Sequence, residues 1–281
     1  MSQIIPRNLI KHLEWNPDSK PAGSPRVPQG GAPPQNPIQS QGSVIVKPEL
    51  LKYIQVGING IHGQPVIISP FELDDFNNMN YDDAHTKLLE TDLYMPTPKI
   101  FRTHFNNVAA AHKDERKLFY ADGSEVPKPV ITDMYKHMVQ DHKDIYGQGN
   151  AGVWTWLNAR FVKGNGFNGF GLETVMGLGK REGKFEVDKA ELEKCVWSDS
   201  YVDLSFNNQG LANKPSKRQQ YKKGKNIYFL YPRENAVAGF YANSDWAYLS
   251  CGRNPTLVNA SLGVFGCAEG ANAKNQGGSS K

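Results

Sequence analysis

The stretch Val153-Trp154-Thr155-Trp156-Leu157-Asn158-Ala159-Arg160-Phe161-Val162-Lys163, followed by Gly164-Asn165-Gly166-Phe167-Asn168-Gly169, decides how the rest of the chain is read. Val153 to Leu157 leads into Ala159-Arg160-Phe161-Val162-Lys163, where aromatic and β-branched residues predict a strand. Trp154 and Trp156 lie two apart, so on a strand they share a face. Both read first as core. The glycines fit GxGxxG, but a dinucleotide fingerprint needs a helix immediately afterwards, to turn its N-terminal amides toward the pyrophosphate. Phe170 to Gly177 instead reads as a second strand bounded by glycines. The glycines therefore predict a hairpin, where positive φ is tolerated and another backbone, a polynucleotide included, can approach closely.

Upstream, residues 129–146 place Ile131, Met134, Met138, His142 and Ile145 at three- and four-residue steps, one buried stripe of a helix stopped by Gly147-Gln148-Gly149. Pro65 to Pro70 predicts a short strand, and Lys99 to Phe105 an alternating one; residues 44–58 predict a strand and a short Pro48-led helical turn. Downstream, Tyr201 to Phe206 alternates strictly, and Asn226 to Tyr231 is a dense aromatic strand. Residues 18–43 hold six prolines and four glycines and read as a flexible arm. Strands separated by single helices indicate an α+β fold in one main domain: an N-terminal segment over 1–45, a body over 46–266 and a disordered tail over 267–281.

Composition narrows the classes. The chain has 281 residues, 39% hydrophobic and 21% charged, with a net charge of +4. No apolar run approaches the ~20 residues of a membrane helix, and Met1-Ser2-Gln3 begins no signal peptide, so a cytoplasmic protein without a membrane partner is expected. Cys195, Cys251 and Cys267 are odd in number and widely spaced, which encodes neither a disulfide framework nor a zinc knuckle. The seven histidines form no HExxH or HxH pair. Asp74-Asp75 and Asp82-Asp83 suit turns and caps better than magnesium, and Gly177-Leu178-Gly179-Lys180-Arg181 is no Walker loop. No nucleophile motif occurs. We expect no catalytic residues, metal or cofactor.

The charges are segregated. Between Phe71 and Asp92, seven acids face only His85 and Lys87, which fits a solvated face or a docking surface. From Leu204 to Arg233 there is no acid, while Lys214, Lys217, Arg218, Lys222, Lys223, Lys225 and Arg233 accumulate among aromatic residues. That mixture suits a single-stranded nucleic acid, with cations on phosphates and rings against bases. It equally suits a solvated basic loop beside an ordinary strand.

Asn158-Ala159-Arg160-Phe161, with Asn165 beyond it, resembles the Asn-x-Arg-aromatic passage of the repeated backbone subunit in type I-F CRISPR surveillance complexes (Cascade, or Csy complex). Further echoes keep the same order: Leu9 and Pro17, Tyr201 to Phe206, Gly210, Lys214-Pro215-Ser216-Lys217, then Asn259 and Gly263-Val264-Phe265-Gly266. The resemblance implies a modified RRM-like (ferredoxin-like) palm with inserted web and thumb. It implies a non-catalytic subunit that polymerises along the spacer of a guide RNA (crRNA), supports target DNA pairing, and partners copies of itself and other CRISPR subunits. In that role Arg160, Lys163, Lys214, Lys217, Arg218, Lys222, Lys223 and Lys225 would hold phosphates, with Trp154, Phe161, Phe167 and Tyr221 as candidate stacking rings. The acidic segment would dock on a neighbouring copy. Two other readings stay open: a viral single-stranded DNA-binding protein, and a virion or nucleocapsid structural protein.

Overall fold

The computed structural model describes residues 48–139, 142–143, 150–151, 153–181, 183–243, 246–259 and 262–269. The Pro-rich arm and the rest of segment 1–45 lie outside them, as does the tail beyond 269. Elements follow in the order β1 (Ile54–Asn59), β2 (Pro65–Ile68), α1 (Tyr81–Leu89), α2 (Pro98–His112), α3 (Lys128–Val139), β3 (His142–Lys143) and β4 (Asn150–Ala151). Then come β5 (Trp154–Lys163), β6 (Phe170–Arg181), β7 (Lys184–Glu191), β8 (Ser200–Asp203), β9 (Asn226–Leu230), β10 (Val237–Ala242), β11 (Ala247–Arg253) and β12 (Cys267–Glu269). This is an α+β fold.

The sequence reading of β5 as a strand holds, and it becomes the third strand, next to the central β10, of a seven-stranded sheet in the order β7-β6-β5-β10-β11-β9-β8. Neighbours are antiparallel except β11 and β9, which run parallel. The buried Asn158 side chain bridges β5 to β6: its Nδ2 donates to the Val175 carbonyl and its Oδ1 accepts from the Val175 N–H, both at 2.8 Å. All three α-helices precede β5, and among the described residues only a 3₁₀ turn at Phe167–Gly169 lies as a helix between any two of the seven strands. The large sheet is thus built without α-helical crossovers between its strands among the described residues. A smaller sheet, β1-β2-β12, packs beside it.

Three expectations change. Lys99 to Phe105 is helical, because Ile100, Phe101, His104, Phe105 and Val108 are buried at helical spacing once the window reaches His112. Thr97 caps α2 by accepting from the Ile100 N–H, and Pro98 supplies its first turn. The helix predicted to run to Tyr146 is described as α3 to Val139, and His142–Lys143 is extended, paired with Asn150–Ala151. Residues 147–149 lie outside the described residues. Cys267–Glu269, assigned to the tail, is a strand paired with β2, because Cys267 and Ala268 are buried. The body thus extends past 266.

The two faces of the sheet differ. On one, α2 and α3 cover the main core, where Phe101 meets Phe240 at 5.2 Å and Phe265 at 5.3 Å between ring centroids. Burying each such ring stabilises the fold by ~1.5–3 kcal/mol. On the other, α1 lies against the β5–β6 side, with Tyr81 edge-on to Trp156 and His85 against Phe185. The remainder of that second face, over β10, β11, β9 and β8, carries the aromatic part of the candidate site, while the loop joining β8 to β9 is seated against α2.

Candidate nucleic-acid interface

The loop joining β8 to β9 holds most of the acid-free cationic run, and its backbone is pinned at several points. Pro215 bridges Val202, Ala212 bridges Phe206, and Leu211 and Ala212 are fully buried. The Ser216 N–H donates to the Tyr201 carbonyl. The buried Asn226 side chain accepts from the Lys222 N–H at 2.6 Å and donates to the Gln220 carbonyl at 2.9 Å, closing the last turn. Gly210, at φ +83, sits where a Cβ would lie 2.4 Å from the Lys99 nitrogen, so the loop rests on the start of α2.

From this frame Lys217, Arg218, Lys222 and Lys225 project as exposed side chains, with Lys223 half-buried. None of the five has an acidic partner among the described residues. The other candidate phosphate ligands do. Lys214 lies 3.1 Å from Asp203 and Lys163 3.4 Å from Glu234, surface pairs worth about 0–1 kcal/mol that a phosphate could replace. Arg160 is held more firmly: its Nη2 donates to Asp82 Oδ1 at 2.5 Å, and its guanidinium stands 5.4 Å from the Tyr81 ring. Arg160 is thus engaged on the α1 side of the sheet, whereas Lys163, two residues on from Phe161 along β5, lies on the main-core side.

The candidate stacking rings divide. Phe161 is fully buried in the main core, because it occupies the inward side of β5; it offers no face to a base, which corrects that assignment. Phe167 packs edge-on to Trp197 at 5.5 Å, and Tyr221 is half-buried against the main core. The GxGxxG glycines also serve the chain itself. Positive φ occurs at Asn168 and Gly169, while a Cβ on Gly166 would lie 2.2 Å from the Leu192 nitrogen, so the backbone that approaches is the protein's own. Trp154 is half-buried on the second face, packed against the cluster around Trp156 with its indole nitrogen buried.

Trp154 belongs to a feature that the sequence reading missed. On β10, Tyr241 stands directly opposite Trp154 of β5 and Tyr248 of β11. Tyr248 stands opposite Tyr228 of β9, and Tyr228 opposite Tyr201 of β8. One ring per strand therefore crosses five strands in a single row. Trp246 joins it, stacked on Tyr248 at 4.5 Å and 4.8 Å from Tyr241. Arg253, only 9% exposed, lies beneath the row with its guanidinium 4.5 Å from the Trp154 ring, and donates to the Tyr248 hydroxyl. Burial lowers the Arg253 pKa, and no acid pairs with it among the described residues. The signal in the sequence was one outward aromatic in each strand, which acquires meaning only with the strand order.

The acidic segment is also engaged within the chain. Asp83 closes the α1 cap with Asn80, and Asp82 holds Arg160. The Glu72 carboxylate is buried, which pushes its pKa up, and lies 3.5 Å from His137. The described residues contain no cluster of three or more potential metal ligands and no helix long and apolar enough to cross a membrane. No family model, curated protein or solved structure matches the chain.

Proposed function

We propose that the chain is a non-catalytic protein that binds a single-stranded nucleic acid, holding its backbone on the loop between β8 and β9. The observation that carries this reading is the set of cations at Lys217, Arg218, Lys222, Lys223 and Lys225, without acidic partners among the described residues and presented on a pinned loop. A flexible basic loop would lose entropy on gripping a strand; one already fixed through Asn226 and Leu211 loses less. Guide RNA is the strand that the sequence resemblance implies, with the chain as one of several copies along it, and single-stranded DNA would use the same cations.

The test is to express the full chain, purify it at low salt and sequence the nucleic acid that accompanies it. Uniform short RNAs would support the guide-bound role, and mixed single-stranded DNA the DNA-binding one. If the protein comes free of nucleic acid and binds neither strand at 50 mM salt, the proposal fails. Assembly of such a nucleic-acid-free chain into large particles would favour a structural role instead.

A further inference from the structure

We infer that the row Trp154, Tyr241, Tyr248, Tyr228 and Tyr201, with Trp246 upon it, is a stacking surface for the unpaired bases of the strand whose phosphates the basic loop holds. This rests on the nucleic-acid reading above and adds to it a site, a ligand class and a division of labour.

Register comes first. Because the five rings are direct cross-strand neighbours, they form one track perpendicular to the strands, about 19 Å long at the ~4.8 Å spacing of adjacent strands. Exposure comes second. The large rings packed on the opposite face, Phe101 and Phe105 of α2 and Phe229 of β9, are completely buried, whereas Trp154, Tyr201, Tyr228, Tyr241 and Trp246 are half-buried, and Tyr248, 8% exposed, is covered by the stacked Trp246. Cross-strand aromatic pairs do stabilise sheets, but that role does not require a charged floor beneath them.

The floor is the third observation. Gly239 and Gly252 have no side chains where arginines cross the sheet: a Cβ on Gly239 would lie 2.9 Å from Arg253 Cδ, and one on Gly252 3.1 Å from Arg233 Cδ. Arg233 is neutralised by Asp199 at 2.8 Å, and Asp203 by Lys214, but Arg253 has no acid among the described residues. A buried guanidinium held only by ring faces and the Tyr248 hydroxyl, with no carboxylate beside it among the described residues, keeps its positive charge unneutralised and favours an anionic occupant. Continuity is the fourth. At the far end of the track the Tyr201 hydroxyl meets the backbone of Tyr221, so Lys222 and Lys223 begin where the row ends. Rings continuous with cations suit a ligand with π faces and a phosphate backbone. Duplex DNA hides its base faces, and an apolar peptide would not need the cations, so the occupant is unpaired nucleotides.

The experiment titrates the full chain with a twelve-nucleotide oligothymidylate, the matching oligouridylate and a twelve-base-pair duplex, following tryptophan fluorescence and the salt dependence of affinity. Both single strands should quench Trp154 and Trp246, and the duplex should not. Tyr228→Leu and Trp246→Leu, which keep apolar bulk and remove the ring, should each weaken single-strand binding roughly 5- to 150-fold without changing the salt slope. Phe119→Ala, at an exposed ring outside the row, should leave it unchanged. Retained circular dichroism and melting temperature show that the variants fold; if either fails to, Tyr201→Leu at the sheet edge takes its place. If folded row variants bind single strands as tightly as the parent while Lys222→Gln plus Lys225→Gln weakens binding, the row is refuted and the nucleic-acid reading stands. Equal quenching by the duplex also refutes the row. If the parent binds none of the three probes, the reading beneath it fails.

Discussion

Arg160 on β5 and Asp82 on α1 are joined at 2.5 Å, and this bond fastens a helix to the third strand of the large sheet. The two side chains are 31% and 49% exposed, so solvent screens the charges and the pair should contribute only about 0.5–1 kcal/mol. Arg160→Gln, Asp82→Asn and the double variant, compared by urea unfolding, should show a coupling energy of that size. A coupling near zero would mean that the pair adds nothing beyond the packing of Arg160 on Tyr81.

The cations of the loop predict a salt dependence. For single strands the logarithm of affinity falls with the logarithm of salt by about 0.7 for each phosphate neutralised. With Lys217, Arg218, Lys222 and Lys225 in contact the slope should be about −2.8. Lys222→Gln plus Lys225→Gln should bring it near −1.4, measured by fluorescence titration from 50 to 300 mM salt. An unchanged slope would remove these two residues from the interface.

The loop was legible because an acid-free run of thirty residues is a property of contiguous sequence. The strand at Trp154–Lys163 and the hairpin after it were legible for the same reason. The aromatic row was not. Its members, Trp154, Tyr201, Tyr228, Tyr241 and Tyr248, come from five strands, and the parallel pairing of β9 with β11 that places Tyr228 beside Tyr248 leaves no local trace. Nor does Asn226-Ile227-Tyr228-Phe229-Leu230 reveal which ring faces outward, since burial of Ile227 and Phe229 follows from where α2 and α3 lie. Lys99 to Phe105 failed differently: over seven residues, apolar pairs four apart can pass for alternation, and only the full span to His112 separates the two periods.

Two buried histidines set an acid limit on stability. His85 and His104 are both lowered to about 3, principally by burial, with the Arg160 charge adding to the effect at His85. Between their unfolded pKa near 6.5 and the folded value, the unfolded chain binds the extra protons, so stability is full above pH ~6.5 and falls as the pH is lowered toward 3. Each group contributes at most about 1.4 kcal/mol per pH unit in that window. Glu72, raised by burial, acts in the opposite sense and loses stability as pH rises through its titration. Urea unfolding between pH 4 and 7 should therefore show a positive slope of stability with pH. His104→Leu, at a side chain whose ring nitrogens have no hydrogen-bond partner among the described residues and which packs against Phe265, should reduce the slope by up to about 1.4 kcal/mol per unit. An unaltered slope would show that His104 is not the titrating group.

Gly210 offers the sharpest test of whether the loop must be pinned to bind. Its backbone lies at φ +83, a region that side chains rarely occupy, and an added Cβ would fall 2.4 Å from the Lys99 nitrogen and 2.7 Å from its Cα. Neither atom can move without shifting the first turn of α2, where the Thr97 cap and Pro98 fix the backbone. Gly210→Ala should therefore destabilise the protein by about 2–4 kcal/mol, combining backbone strain with overpacking. Part of that strain is relieved if Leu211 and Ala212 leave the core and the loop detaches, which would release Lys217 and Lys222 from their fixed positions. Single-strand affinity should then fall while the salt slope persists, because the cations remain and only their pre-organisation is lost. Hydrogen exchange should rise over residues 204–225 before it rises in α3. Full affinity together with increased loop exchange would show that the strand is gripped without the pinned frame.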